Sequence, residues 1–160
     1  MRLLFWSGFW AFLADQGTKY LVVHWMELSR LREIDVLPPL LNFRYGENRG
    51  INFGLFDGHS DVGRWILIAF SLAVVGFVAV WARRNYADNR LMLMFAGLLI
   101  GGALGNVVDR LLYDYVLDFL NMSCCGIQNP FVFNVADVFI FVGAIGLIVF
   151  DGRGRGKNAS

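Results

Sequence analysis

Two aspartates, Asp118 and Asp137, stand nineteen positions apart within residues 101–137, each at the edge of a short apolar run. A carboxylate in or beside a bilayer costs several kcal/mol unless it is paired, hydrated or protonated, so a residue of this kind marks function by default. Nineteen positions are too many for one helix face, but they suit two elements that bring their carboxylates together across a loop. Two carboxylates held a few ångströms apart cannot both ionise, so they share a proton. The ionised member takes a proton from a water that attacks a scissile carbonyl; the protonated member donates to the carbonyl oxygen and then to the leaving amine. That chemistry is aspartyl peptide hydrolysis. Its titration belongs to the pair, so base and acid are not assigned individually.

Other polar residues accompany the two aspartates. Asn106, Asp109 and Arg110 end one apolar run, Asn134 lies one helical turn before Asp137, and Asn48 sits in an upstream loop. Asn106 and Arg110 are spaced i, i+4 and share a helix face, with Arg110 placed to pair with Asp109 or another carboxylate. Asp15 and Lys19 have the same spacing and are expected to pair within their apolar segment. Groups like these are costly to bury unless they bond to one another, so they predict a network. Other hydrolytic chemistries lack their residues: His24 and His59 are the only histidines, and no HExxH, GxSG or GxGD occurs. Cys124 and Cys125 are adjacent, a spacing that strains a disulfide, and two sulfurs alone make no metal site. No metal and no organic cofactor is expected.

The elements that position these residues follow from hydropathy. Of the 160 residues 57% are hydrophobic and 17% charged, with 15 Phe and 5 Trp, whereas a soluble domain carries about 25% charge. Mean hydropathy is +0.53. The length suits one domain, 1–160, and a net charge of +1 offers no basic surface for nucleic acid. A membrane span takes roughly 20 apolar residues. Four segments qualify, at about 3–25, 65–82, 91–108 and 131–150, predicting an α-helical integral membrane protein with four transmembrane helices. Asp15 and Lys19 interrupt the first segment and no small-x-small site follows it, which argues against a cleaved signal peptide.

Basic residues orient the bundle. Arg2, Arg83, Arg84, Arg90, Arg153, Arg155 and Lys157 flank one side; Arg30, Arg32, Arg44 and Arg49 lie on the other, in the loop 27–63, and the loop 113–130 has none. Seven against four predicts both termini in the cytoplasm, with the turn 83–90, and the two larger loops outside together with Asp118 and Asp137. Within 27–63, Leu41, Phe43 and Tyr45 alternate with polar residues, Gly46 to Gly50 supplies turn residues, and Ile51, Phe53 and Leu55 alternate again, which predicts a β-hairpin. Leu28, Leu31 and Ile34 predict a short amphipathic helix ahead of it. Tyr115, Leu117 and Phe119 predict a further strand, completing a small outer sheet whose edge an extended peptide could join. Gly97, Gly101 and Gly105 recur every four residues, the spacing for close helix approach. The tail 152–160 has the composition of a disordered segment.

The same residues resemble a family. GGALGNVVDR (101–110), YVLDF (115–119) and FNVAD (133–137) are similar to signature blocks of bacterial lipoprotein signal peptidase, or signal peptidase II. DQGTK (15–19) and NRGINFG (48–54) resemble its two N-terminal blocks, in the family's order. The resemblance implies an aspartic peptidase of the bacterial inner membrane that removes signal peptides from prolipoproteins after their lipobox cysteine has received a diacylglyceryl group. It implies Asp118 and Asp137 as the catalytic dyad, and Asp15, Lys19, Asn48, Gly105, Asn106, Arg110 and Asn134 as further functional positions. Gly50 and Asp109 lie in the same blocks and count with the support of the site. It also implies membrane lipids as surroundings, a loop 27–63 that lies over the substrate, and sensitivity to globomycin-type peptides; the amphipathic character of that loop suits one that closes over the peptide. One departure is Asn52, where family members commonly carry a small residue.

Two rival readings use the same residues. A small transporter or proton relay would string Asp15, Lys19, Asp118 and Asp137 across the bilayer. An assembly protein would use the glycine repeat, and leaves Asp118 and Asp137 without a purpose.

Overall fold

The computed structural model describes residues 1–50, 61–123 and 129–154. The expectations for Ile51, Asn52, Phe53, Leu55, Cys124, Cys125 and residues 155–160 lie outside these.

Helix α1 (Arg2–Lys19) continues as a π-helical turn (Tyr20–Trp25), then come α2 (Leu28–Leu31), β1 (Glu33–Leu37), β2 (Leu41–Asn48), α3 (Asp61–Asn85), α4 (Arg90–Tyr113), β3 (Val116–Asn121) and α5 (Val135–Gly154). Two of these, Val62–Asn85 and Arg90–Tyr113, are long and apolar enough to cross a membrane on length and composition. Phe5 and Trp10 on α1, Phe70 on α3 and Ile148 on α5 are each 60–76% exposed. Such a continuous apolar exterior is far more than a water-soluble monomer shows, and it suits lipid.

Helix α4 is the hub, packing against α1, α3 and α5. Its glycines explain how three helices approach it. A Cβ on Gly97 would lie 2.5 Å from the Leu4 carbonyl oxygen, and one on Gly101 would run into the Gly8 carbonyl and come 2.9 Å from Ala11 Cβ. The face toward α5 uses Gly102, whose added Cβ would lie 2.5 Å from the Ala136 carbonyl oxygen. Small residues thus let backbones touch where no large side chain would fit. Away from the site, Val78, Ala82, Met92, Leu93, Ala96 and Leu147 fill the space between α3, α4 and α5.

The sheet is antiparallel with β2 in the centre, order β1-β2-β3. This corrects the expected hairpin. Residues 46–48 do not turn but continue β2, and the turn falls at 38–40, so that β2 returns along β1 with Ile34 opposite Phe43. Ile34 belongs to that strand and not to the amphipathic helix, which is the single turn Leu28–Leu31, because Glu27 and Arg32 take left-handed conformations at its two ends. β3 forms where alternation predicted it, although five of its six residues are buried, so both faces are covered. Between Phe43 and Gly46 the β2–β3 register slips, leaving Arg44 and Tyr45 against Phe119 alone. A bulge of this kind re-aims the residues beyond it, here Gly46 and Asn48 toward Asp118.

Helix bounds differ from the hydropathy estimate at two ends that matter. α4 runs past Val108 to Tyr113, which keeps Asp109 and Arg110 helical. α5 starts only at Val135, since Phe133 pairs with Leu120 of β3 and Asn134 caps the helix; it then runs on into the start of the tail expected from Gly152.

Candidate active site

Asp118 projects from β3, where Val116, Leu117 and Phe119 are buried, and is itself only 3% exposed. Its Oδ1 accepts from Asn134 Nδ2 at 2.6 Å and its Oδ2 from Asn48 Nδ2 at 3.1 Å. Asn48 stands at the end of β2, and its Oδ1 accepts from Gly50 N at 3.0 Å. Gly50 has φ +88, where a side chain is strained, and a Cβ there would press on Leu67 of α3.

Asp137 is the third residue of α5 and half-buried. Its N–H donates to Asn134 Oδ1 at 2.9 Å, and its Oδ2 accepts from Asn134 N at 3.2 Å. This is the reciprocal geometry of a capping box, which satisfies two orphan donors at a helix start. Oδ1 of Asp137 accepts from Asn106 Nδ2 at 2.9 Å. Asn134 therefore stands between the two aspartates, and Asn106 beside it, receiving Asn134 Nδ2 at 3.3 Å on its own Oδ1. Burial, and after it the charge of Asp137, pushes the Asp118 carboxyl up to about 7, with the amides of Asn134 and Asn48 pulling the other way.

Beneath the pair lies a charged layer. Lys19 Nζ is 2.8 Å from Asp15 Oδ2, the expected i, i+4 pair, and also 2.7 Å from Asp109 Oδ2 on α4. Gly105 makes room for this contact: a Cβ there would come 2.5 Å from Asp15 Oδ2. Arg110 departs from expectation. Its Nη1 donates to the Asn106 carbonyl of its own helix at 3.2 Å, and among the described residues no carboxylate lies within ion-pair distance of it, because Asp109 has gone to Lys19. Arg110 remains half-buried, close enough to Asp137, Asp109 and Asp118 to feel their charge.

All the anticipated site residues thus gather in this cluster or directly beside it. Gln16 was missed, yet its Nε2 reaches Asp15 Oδ2 at 3.1 Å, Asp109 Oδ1 at 3.0 Å and the Gly105 carbonyl at 3.3 Å. The available signal was an amide next to Asp15 in an otherwise apolar span. The β3 edge also proves to be occupied: Phe119 N and Leu120 N donate to the Phe133 carbonyl at 3.0 and 2.8 Å, so it offers a peptide no free edge there.

A polar cluster holding two aspartates, set at one end of a lipid-facing helical bundle and roofed by a small sheet, is the architecture of a membrane-embedded aspartic peptidase. Residues 8–151 match the signal peptidase (SPase) II family. A lipoprotein signal peptidase of Methylobacterium radiotolerans is 44% identical over 137 residues, 86% of this chain and 78% of that protein. Another, from Rhodopseudomonas palustris, is 37% identical over 151 residues, 92% of this chain and 90% of that one. A third, from Methylorubrum extorquens, is 45% identical over 113 residues, 71% of this chain and 64% of that one. Among solved structures, a bacterial membrane enzyme determined by the in meso method at 2.3 Å superposes with a TM-score of 0.78 and 25% identity, over 100% of this chain and 93% of that one. The chain belongs to the signal peptidase II family.

Proposed function

We propose that this protein removes the signal peptide from diacylglyceryl-modified prolipoproteins, cutting the bond before the lipidated cysteine, with Asp118 and Asp137 as its catalytic dyad. The observation that carries this reading is Asn134 bonded to both aspartates at once, at 2.6 Å to Asp118 Oδ1 and 2.9 Å to Asp137 N. In the reaction, a water oxygen attacks the scissile carbonyl carbon while one of its protons passes to the ionised aspartate and the other aspartate protonates the carbonyl oxygen. The resulting gem-diol collapses, the C–N bond breaks, and a proton from the dyad goes to the leaving amine. Asn48, Asn106 and Asn134 hold the carboxyl groups in place between these transfers.

In this reading α1, α3, α4 and α5 all cross the bacterial inner membrane. Both termini are cytoplasmic, as the excess of basic residues on that side favours. The dyad then faces the outer side, where a lipid-anchored peptide arrives with its acyl chains still among apolar side chains. Asp118 and Asp137 lie at the same end of the bundle, which a transmembrane relay would not require. Globomycin-type peptides are expected to inhibit.

The deciding experiment compares cleavage of a diacylglyceryl-modified prolipoprotein by the wild-type protein, Asp118→Asn and Asp137→Asn in liposomes, at equal folded amounts. Asparagine keeps the shape and loses the proton chemistry. Cleavage before the lipidated cysteine by wild type alone supports the dyad; near-normal rates in either variant overturn it.

A further inference from the structure

We propose that Lys19 is the centre of a clamp that sets the separation of the two catalytic aspartates: it holds Asp15 and Asp109 together, and each of these grips the backbone N–H immediately before one member of the dyad. Asp15 Oδ1 accepts from Ala136 N at 2.8 Å, one residue before Asp137. Asp109 Oδ2 accepts from Leu117 N at 3.0 Å, one residue before Asp118. Lys19 Nζ joins the two grips at 2.8 and 2.7 Å, and Gln16 ties the same two carboxylates a second time. Lys19 is 3% exposed and both carboxylates are 0% exposed. The proposal deepens the dyad reading and rests on it.

Stability alone is a poor reason for this arrangement. A buried ionic triad is often replaceable by apolar side chains at no loss of stability. Apolar side chains, however, accept no N–H, and β3 and the start of α5 are separate elements whose relative placement governs proton transfer across the pair. Acid–base chemistry of that kind needs its groups held within about 0.5 Å. The clamp supplies that brace from below, and Lys19 extends it to Asp137 itself, since its Nζ lies 3.4 Å from Asn106 Oδ1 and Asn106 Nδ2 binds Asp137. Lys19, Asp15 and Asp109 are therefore positioning residues. Among the described residues Arg110 of α4 is a further charged group close enough to Asp137 and Asp118 to feel their charge.

The test uses the full chain in lipid nanodiscs, with rates per folded molecule on a diacylglyceryl-modified prolipoprotein peptide. Asp15→Ala and Asp109→Ala remove one grip each; Asp15→Asn and Asp109→Asn keep an oxygen for the N–H. We expect the alanine variants to lose at least about tenfold in kcat with KM within about twofold, their pH–rate limbs to move, and the asparagine variants to recover most of the rate. Should an alanine variant not fold, the triple variant Asp15→Asn, Lys19→Met, Asp109→Asn strands no buried charge and loses the Lys19 link between the grips, leaving only the Gln16 amide to join them; it is expected to lose several-fold in kcat at unchanged KM. Parent-like kcat and pH limbs in the folded variants overturn the clamp. If Asp118→Asn and Asp137→Asn are inert while the clamp variants run at the parent rate, the clamp alone fails; if either of those two cleaves normally, the dyad reading fails and the clamp with it.

Discussion

Asn134 donates from Nδ2 to Asp118 Oδ1 at 2.6 Å, a short hydrogen bond between two buried side chains. Because Asn134 is also the cap of α5, its amide is held by the helix start and has little freedom to leave Asp118. Asn134→Ala is expected to lower kcat by about 10²-fold, the scale of losing one preorganised donor. Loss of the cap costs only about 1 kcal/mol, so folded yield falls little. Steady-state kinetics set against thermal melting separates the two effects, and normal turnover would remove Asn134 from the site.

Asp118 predicts a pH dependence of stability. In the folded protein its carboxyl is raised to about 7, whereas the ordinary value is 3.8. Between those values the folded state holds a proton that the unfolded chain has released, so stability falls as pH rises through this window and levels off above about 7. Thermal midpoints in detergent are expected to decline across the window for wild type and to flatten in Asp118→Asn. An unchanged slope in the variant would assign the titration elsewhere.

Lys19 pairs with two buried carboxylates and not one. Lys19→Ala strands both, at a cost of about 3–5 kcal/mol by comparison with other broken buried pairs. The expected outcome is a sharply lower extraction yield and melting temperature. Unchanged thermal stability in detergent would count against the ionic layer as a structural element.

Glycines on the bundle divide into two kinds. A Cβ on Gly101 runs into the Gly8 backbone, while one on Gly76 of α3 meets nothing within 4 Å. Gly101→Val is expected to part α1 from α4 and abolish folded protein, whereas Gly76→Ala is expected to be neutral or to add up to about 1 kcal/mol through helix propensity. Expression and melting of the pair in the same detergent check this contrast.

The polar residues of the site announce themselves in the sequence because an apolar span gives a charge nowhere to hide: Asp15, Lys19, Asn106, Asp109 and Asn134 are conspicuous in runs of Leu, Val and Phe. The same contrast marks the helices to within a few residues, and alternation locates β3. These are local signals, carried by neighbours in the chain. Gln16 shows their limit, since an amide of modest polarity looks unremarkable until both its carboxylate partners are in view.

Pairing across the chain needed the tertiary structure. Asp109 chose Lys19 over the adjacent Arg110, and Arg110 turned back to the Asn106 carbonyl. That choice depends on how closely α1 approaches α4, which Gly97, Gly101 and Gly105 set by omitting their side chains. β2 likewise has two partners, β1 and β3, and its bulge at Arg44 and Tyr45 exists only once Phe119 lies opposite. Residue types and spacing along one element are properties of the chain, whereas which distant groups meet is decided by packing distances that no single segment encodes.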